Sequence, residues 1–512
     1  ALTNTGGVYA ALGQPRQARA CLEQALPHWR AVNDRRGEAR VLHRLGEISV
    51  AAGEARQALD YYAQALTIRR ALGHRFTEAA TLHGIGDAYL SLGERQSALD
   101  HLRQAFELRR NIADRRGQAQ TLASLAAIAH KQGEHEQAIE LCRQALALQR
   151  AIGDHAGEAH TRYQLARVER ARGQWNEARL QIETALALIE RARGNLLSQE
   201  LRSSYLTTVR DCYEFYVDLL MQLHERQPRD GFDAEALRAS ERARARSLLE
   251  MLAEARAEIR QGADPQLIAR ERSLQQQLNA KAAHELRLRR GLPTPEQLAD
   301  VEKEIVALTV AYDEAQAQIR AASPRYAALT EPTPSSAVEI QRQLDEDTLL
   351  LEYALGEERS YLWAVTRSRL ESHCLPKRSE IEAAARRVYD LLTARNQRRA
   401  GETSEQRRAR IRQADLQYAQ AATALSQMLL GPVAAGLGNK RLVIVAHGAL
   451  QFIPFAALPE PKSGRIRVNP QSAIRNPQSF APLIVNHEIV YLPSASVLAL
   501  LRRDLAERRA AP

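Results

Sequence analysis

The side chains best suited to covalent chemistry are four thiols, Cys21, Cys142, Cys212 and Cys374, and fourteen histidines. A cysteine becomes a nucleophile when an imidazole generates or stabilises its thiolate and backbone amides hold the oxyanion. His447, which follows the apolar run RLVIVA, and His487 are the rings that could serve Cys374, but nothing in their spacing brings a thiol beside either one. Cys374 stands in the strand-like stretch ESHCLP and is expected to be a small packed residue. Ser494 and Ser496 occur in PSAS, without the G-x-S-x-G elbow that exposes a serine nucleophile, which argues against a serine hydrolase. The cysteines lie more than 60 residues apart with no CxxC pair, so neither a disulfide framework nor a thiolate zinc site is indicated.

The elements that position these groups follow from composition and periodicity. A length of 512 residues corresponds to roughly three domains, and 45% hydrophobic with 26% charged residues excludes disorder along the whole chain. Aromatic residues make up only 5%, so cores built from Leu, Ala, Val and Ile favour helices over a large β-sandwich. No apolar run approaches the length that crosses a bilayer, no leader pattern opens the chain, and the cysteine usage fits a reducing, cytoplasmic location. The chain begins ALTNTGG, without Met, consistent with a fragment. Net charge is +10, and 65 of the 71 cations are arginine. Most stand beside Glu or Gln on helical stretches, where i,i+4 pairing on a solvated face accounts for them. No basic stretch is interleaved with aromatics, so nucleic acid is not an expected partner.

Gly13, Gly53, Gly93, Gly133 and Gly173 recur every forty residues, together with Ala18, Ala58, Ala98, Ala138 and Ala178 and with Ala25, Ala65, Ala105, Ala145 and Ala185. Apolar residues fall at helical spacing on both sides of each glycine, which predicts two antiparallel helices per unit joined where glycine supplies a left-handed turn. With Leu42 as a reference, Leu45, Gly46, Gly53, Ala58, Tyr62 and Ala65 fall on the Leu, Gly, Gly, Ala, aromatic and Ala positions of the tetratricopeptide repeat. Residues 1–192 therefore resemble an array of five such repeats, with a forty-residue period as in kinesin light chains. The resemblance implies an α-solenoid whose concave groove, lined by the first helix of each unit, captures protein or peptide. By register that groove carries Arg40, His43, Glu47, His83, Asp87, His130, Lys131, His160, Tyr163, Arg167 and Arg170. Its first part is mixed and its last part cationic, which suggests an extended ligand with an acidic end. No two of its histidines sit at i,i+3 or i,i+4, so a metal site is not expected there.

Residues 193–335 read as a helical linker: capping helices through Tyr205–Leu220 and Asp233–Leu252, then an antiparallel coiled-coil hairpin. Its first arm starts at Asp264-Pro265, Gly291–Thr294 breaks it, and its second arm carries the seam Leu298, Val301, Ile305, Leu308 and Tyr312. From Thr348 the pattern turns extended, in TLLLEYAL, SYLWAVTR and ESHCLP. Helices over about 379–394 and 410–430 follow, and then RLVIVA, a run suited to a parallel strand buried on both faces. The near-duplicate NPQS at 469–472 and 476–479 is read as a surface insertion without an assigned role.

GALQFIPFAALP and HEIVYLPSASVLALL resemble the CHAT domain, a caspase- and separase-like cysteine peptidase domain commonly joined to tetratricopeptide arrays. ERARARSLLEML and DTLLLEYALGEERSYLWAV resemble the stretches that lead into it. The fold expected is thus mainly α: a TPR α-solenoid, a helical and coiled-coil hairpin region, and over 336–512 an incomplete α/β (caspase-like) domain. The family's dyad, a His in an Ala-Thr-His-Gly type motif and a Cys in a Ser-Ala-Cys type motif, follows the Pro-Ser-Ala-Ser segment. Neither motif occurs here, so no catalytic residue is assigned and the chain alone is expected to be inactive. No cofactor is implied. The resemblance implies TPR-mediated protein interaction that regulates a cysteine peptidase; a non-enzymatic scaffold with a docking α/β module is the alternative.

Overall fold

A computed structural model describes residues 2–11, 14–191, 199–254, 264–289, 295–322, 335–397, 402–461, 481–498 and 502. Ten helices fill the first 191 residues: α1 (Leu2–Ala11), α2 (Pro15–Ala31), α3 (Arg35–Ala51), α4 (Ala55–Ala71), α5 (Arg75–Ser91), α6 (Arg95–Asn111), α7 (Arg115–Lys131), α8 (His135–Ala151), α9 (His155–Ala171) and α10 (Trp175–Arg191). The forty-residue period arises from two 17-residue helices and two three-residue connections. Gly53, Gly93, Gly133 and Gly173 have φ between +76° and +79°, the left-handed conformation that closes the first turn of each unit. At the first of these the Gly53 N–H donates to Val50 O and the Glu54 N–H to Ser49 O. Gly13 lies outside the described residues. A second left-handed series closes the turns between units, and there glycine is used only at Gly73 and Gly153, while Asn33 and Ala113 adopt φ of 54° and 55°.

The invariant alanines explain how closely the helices pack. Ala18, Ala58, Ala98, Ala138 and Ala178 are wholly buried, as are Ala65, Ala105, Ala145 and Ala185. A Cβ added to Gly46 would lie 2.5 Å from Tyr62 Cε1, so the aromatic ring of α4 rests directly on the backbone of α3. Successive units are also joined by polar side chains. Buried Arg109 donates to Gly117 O at 2.8 Å and Thr121 Oγ1 at 2.6 Å. Arg69 meets Thr77 O and Thr81 in the same way, and Gln149 meets Thr161 Oγ1 at 2.9 Å. At the equivalent place Trp29 covers Gly37. On the outer side of the same joints, Arg30 pairs with Glu38, Arg70 with Glu78 and Arg150 with Glu158.

Four helices follow: α11 (Gln199–Arg226), α12 (Phe232–Glu254), α13 (Pro265–Arg289) and α14 (Pro295–Ala322). The chain forms two compact units, the first of residues 1–213 and 262–326, the second of residues 214–261 and 327–512. In the first, α13 and α14 pair antiparallel, with Val301 and Tyr312 buried, Ile305 and Leu308 half-buried, and Gln316 Nε2 donating to Glu271 at 3.3 Å. The side chain of Leu298 and the breaker at 291–294 lie outside the described residues.

The second unit contains α15 (Ala337–Arg342), β1 (Thr348–Ala354), β2 (Ser360–Val365), β3 (Leu370–Leu375), α16 (Arg378–Thr393), α17 (Ser404–Leu430), β4 (Arg441–Val445) and β5 (Ile489–Tyr491). The sheet order is β3-β2-β1-β4-β5. The first three strands form an antiparallel meander, and β1, β4 and β5 run parallel. Alternation sends Leu349, Leu351, Tyr353, Leu442 and Ile444 into a core with α16 and α17. The opposite face meets the second half of α11 and α12: Tyr361 Oη donates to Asp218 at 2.6 Å and Trp363 Nε1 to Asp233 O at 3.1 Å. Residues 214–254, read in the sequence as linker, are therefore a helical layer of the α/β unit. The repeated NPQS segment lies outside the described residues. Among the described residues no helix is long and apolar enough to cross a membrane.

Candidate ligand-binding face of the repeat array

The residues that register assigns to the groove fall on α3, α5, α7 and α9. On α3, Arg40 is exposed, with its guanidinium 5.5 Å from the centre of the Trp29 ring. One turn on, His43 Nε2 lies 3.3 Å from Glu47 and the imidazole leans on Tyr62, ring centres 5.4 Å apart. Arg44 also reaches Glu47 at 3.3 Å. Burial alone would raise the Glu47 carboxyl, but the His43 hydrogen bond and the charges of His43 and Arg44 outweigh it and hold it low. Burial pushes His43 down.

On α5 the same turn carries His83 and Asp87, with Nε2 3.4 Å from Oδ2. His83 is buried, and desolvation, with Arg109 and His43 adding to it, lowers the imidazole to about 3. Its Nδ1 lies 3.4 Å from Arg109 Nη1, so that nitrogen accepts and the proton sits on Nε2, toward Asp87. The Asp87 side chain is 42% exposed, and desolvation by neighbouring groups lifts its carboxyl to about 7 against the pull of Arg109.

The cationic end is built by α7 and α9. Lys131 is exposed, and His130 faces His135 across the turn, Nδ1 to Nδ1 3.4 Å. Burial lowers His130, and the charges of Arg167, His135, Arg170 and Lys131 lower it further, which places these groups within electrostatic reach of one another. On α9, His160 and Tyr163 have ring centres 6.5 Å apart, and Arg167 stacks over Tyr163 at 5.7 Å while donating to Gln164 at 3.2 Å. Arg170 follows one turn later. Eight of the eleven residues thus gather as two carboxylate-histidine pairs and one basic cluster, while Arg40 lies over Trp29 and His160 lies beside Tyr163. Sequence reading named Tyr62 only as the repeat's aromatic and missed Arg69, Arg109 and Thr121, which support these residues from behind. The forty-residue column Trp29, Arg69, Arg109, Gln149 carried that signal.

In the α/β unit Cys374 is exposed, not the small packed residue that the sequence suggested; among the described residues β3 is an edge strand with only β2 beside it. Burial raises its thiol, with Arg359 opposing. Register aligns Cys374, Tyr361 and Ala354 in one row that leads to the end of β4, so three strand spacings, about 14 Å, separate the thiol from His447. His447 Nδ1 accepts from Leu355 N–H at 2.9 Å, and His487 Nδ1 donates to Lys440 O at 2.8 Å. Both rings serve the backbone of their loops.

A buried carboxylate pair lies between α12 and the sheet. Glu241 accepts from Ala495 N at 2.9 Å, Ser496 N at 2.6 Å and Ser496 Oγ at 2.5 Å, so it caps the helix that starts there. Glu352 accepts from Ser240 Oγ at 2.7 Å and Arg244 Nε at 3.2 Å. Burial and the Glu241 charge raise Glu352 well above the carboxylate range. Arg244 also donates to Ala446 O at 2.8 Å and to Tyr353 O, tying the ends of β4 and β1. Among the described residues no three His, Cys, Asp or Glu side chains converge on a point that could hold a metal ion.

The family model described as tetratricopeptide repeat matches residues 1–71, 50–111 and 117–191, and that described as CHAT domain matches residues 419–512. The search of curated proteins finds no match. Among solved structures, nearly identical TPR-like repeats from Podosopora anserina are 22% identical, covering 38% of this chain and 94% of that one, TM-score 0.31. BtubC (BKLC) from P. vanneervenii is 17% identical over 38% of this chain and 80% of its own, TM-score 0.34. YrrB, a TPR protein with an unusual peptide-binding site, is 15% identical over 36% of this chain and 84% of its own, TM-score 0.25. Residues 1–191 are a tetratricopeptide repeat array, which implies protein–protein interaction, and residues 419–512 carry a CHAT domain, a family of peptidase-like character.

Proposed function

We propose that the array captures a protein segment along α3, α5, α7 and α9 and that this engagement regulates the CHAT module. The observation that carries the reading is the polar row from Arg40 to Arg170 on the first helices of successive units, in which His83 alone is buried. Regulation is what the joining of a repeat array and a CHAT module in one chain suggests. Both parts are testable in the full chain. Immobilised peptide libraries should be captured by the wild type and lost with Arg167→Glu combined with Arg170→Glu. Engagement should then change amide exchange within 335–498; unchanged exchange there leaves the array as a scaffold and defeats the regulatory half. Peptidyl thiol probes should label wild type no more than Cys374→Ala, because no imidazole accompanies that thiol.

A further inference from the structure

On the sheet face that α12 covers, a carboxyl stands in a row that is otherwise apolar. Glu352 of β1 lies between Trp363 of β2 and Val445 of β4, and it is wholly buried. Burial penalises an ion unless an opposite charge and a full set of hydrogen bonds answer it. Glu352 has half of such a set. Its Oε1 accepts from Ser240 Oγ at 2.7 Å and from Arg244 Nε at 3.2 Å, whereas Oε2 is buried and no donor reaches it. Arg244 is shared, since it also serves the carbonyls of Ala446 and Tyr353.

The carboxyl within hydrogen-bonding reach of Glu352 is that of Glu241, itself wholly buried. Glu241 acts as an acceptor throughout: Oε1 takes Ala495 N–H, and Oε2 takes both the N–H and the hydroxyl of Ser496. The Ser496 oxygen in turn accepts from Ser335 N–H at 3.0 Å, just before α15. Two carboxylates that only accept cannot bond to each other. A proton on Glu352 Oε2 makes the unmatched atom a donor and removes one of two like charges. Burial and the Glu241 charge both favour that neutral form, with Arg244 opposing. The other charged groups on this face have partners of their own: on α11, Asp218 meets Arg359 and Tyr361, and Glu214 meets Arg378. After β4, the His447 ring is engaged by Leu355 N–H.

We propose that Glu352 carries a proton on Oε2 and donates it to Glu241, and that this proton is a latch joining β1, α12, the segment at Ser494–Leu498 and the start of α15. The joint parts only by giving that proton to water. Once opened, Glu352 is an ordinary carboxyl, ionised above about 4.5. From that value up to the raised value of the closed pair, opening releases one proton, so the closed state is strongest in acid. Its closing equilibrium then weakens about ten-fold for each unit of rising pH. The device belongs to the α/β unit alone and does not depend on what the array binds.

The test follows the full chain by amide hydrogen exchange in the peptides that contain Ala495 and Ser496, each rate divided by the intrinsic rate at its pH. Glu352→Gln keeps both roles, with its carbonyl accepting from Ser240 and Arg244 and its amide donating to Glu241, but has no proton to titrate. Protection in wild type relative to this variant should fall about ten-fold per unit from pH 5 to pH 7. Infrared spectra at pH 7 should contain a protonated carboxyl stretch that Glu352→Gln lacks. Three results overturn the proposal: a protection ratio that does not change over that range, no such infrared band, or a variant that fails to fold or is unprotected at every pH. The last is the behaviour of an ionised Glu352 bound to Arg244, which an amide cannot replace.

Discussion

Ala113 holds φ of 55° in a turn where two of the three equivalent positions are glycine. A Cβ in that conformation costs about 1–2 kcal/mol, part of which glycine returns through its freedom in the unfolded chain. Ala113→Gly should stabilise the array by about 0.5–1 kcal/mol, read as a rise in the urea midpoint at constant slope. His83 makes a pH prediction. Its folded value of about 3 lies below the 6.5 of a free imidazole, so between those values only the unfolded chain takes the proton and wild type loses stability as pH falls. Asp87 acts oppositely, since its folded carboxyl holds a proton up to about 7. His83→Gln removes the first effect alone. Relative to wild type, the variant should gain at most about 2 kcal/mol between pH 7 and pH 5 in paired urea titrations. Ala113 did not announce itself in the sequence, because a left-handed alanine looks like any alanine; register placed His83 on the inner face, but its burial depends on Arg109 from the next helix.

At the scale of the element, alanine is the informative residue. Ala65 is wholly buried against α3, between Ala39 and Leu42. Ala65→Leu adds three carbons where backbone must give, so it should destabilise by about 1–3 kcal/mol, measured by thermal or urea unfolding. The helices were legible because every unit repeats the same small residues, and five imperfect copies reveal what one would hide. The strands were legible too: TLLLEYAL, SYLWAVTR and RLVIVA become β1, β2 and β4, apolar because both sheet faces are covered. The misreading of Cys374 shows the limit. Its run, LESHCL, already carries Glu371, Ser372 and His373 where β1 and β2 are mostly apolar, and strand order, which depends on β4 arriving from later in the chain, leaves β3 at the edge. Likewise α12 looked like a charged linker, since Glu241 and Arg244 find their partners in residues 352, 446, 495 and 496.

For the molecule as a whole, recognition of repeats and CHAT domain came from motif order, whereas the division into units depended on contacts far apart in sequence. Glu241 is the sharpest case. Glu241→Ala strands two amides and a hydroxyl in a buried site, a loss of about 3 kcal/mol that relief of the neighbouring Glu352 carboxyl offsets in part. Calorimetry should show the penalty in the unfolding of the α/β unit, with the helical signal of the array unchanged. The same bond orders events during synthesis. Each repeat needs only its neighbour and can settle as it leaves the ribosome, but α12 must wait for some 250 further residues before Ser496 exists to receive it. Until β1 and β2 emerge its sheet-facing side stays uncovered, and Glu241 waits longer still for its amides, which makes the nascent α/β unit, rather than the long array preceding it, the natural client of a chaperone.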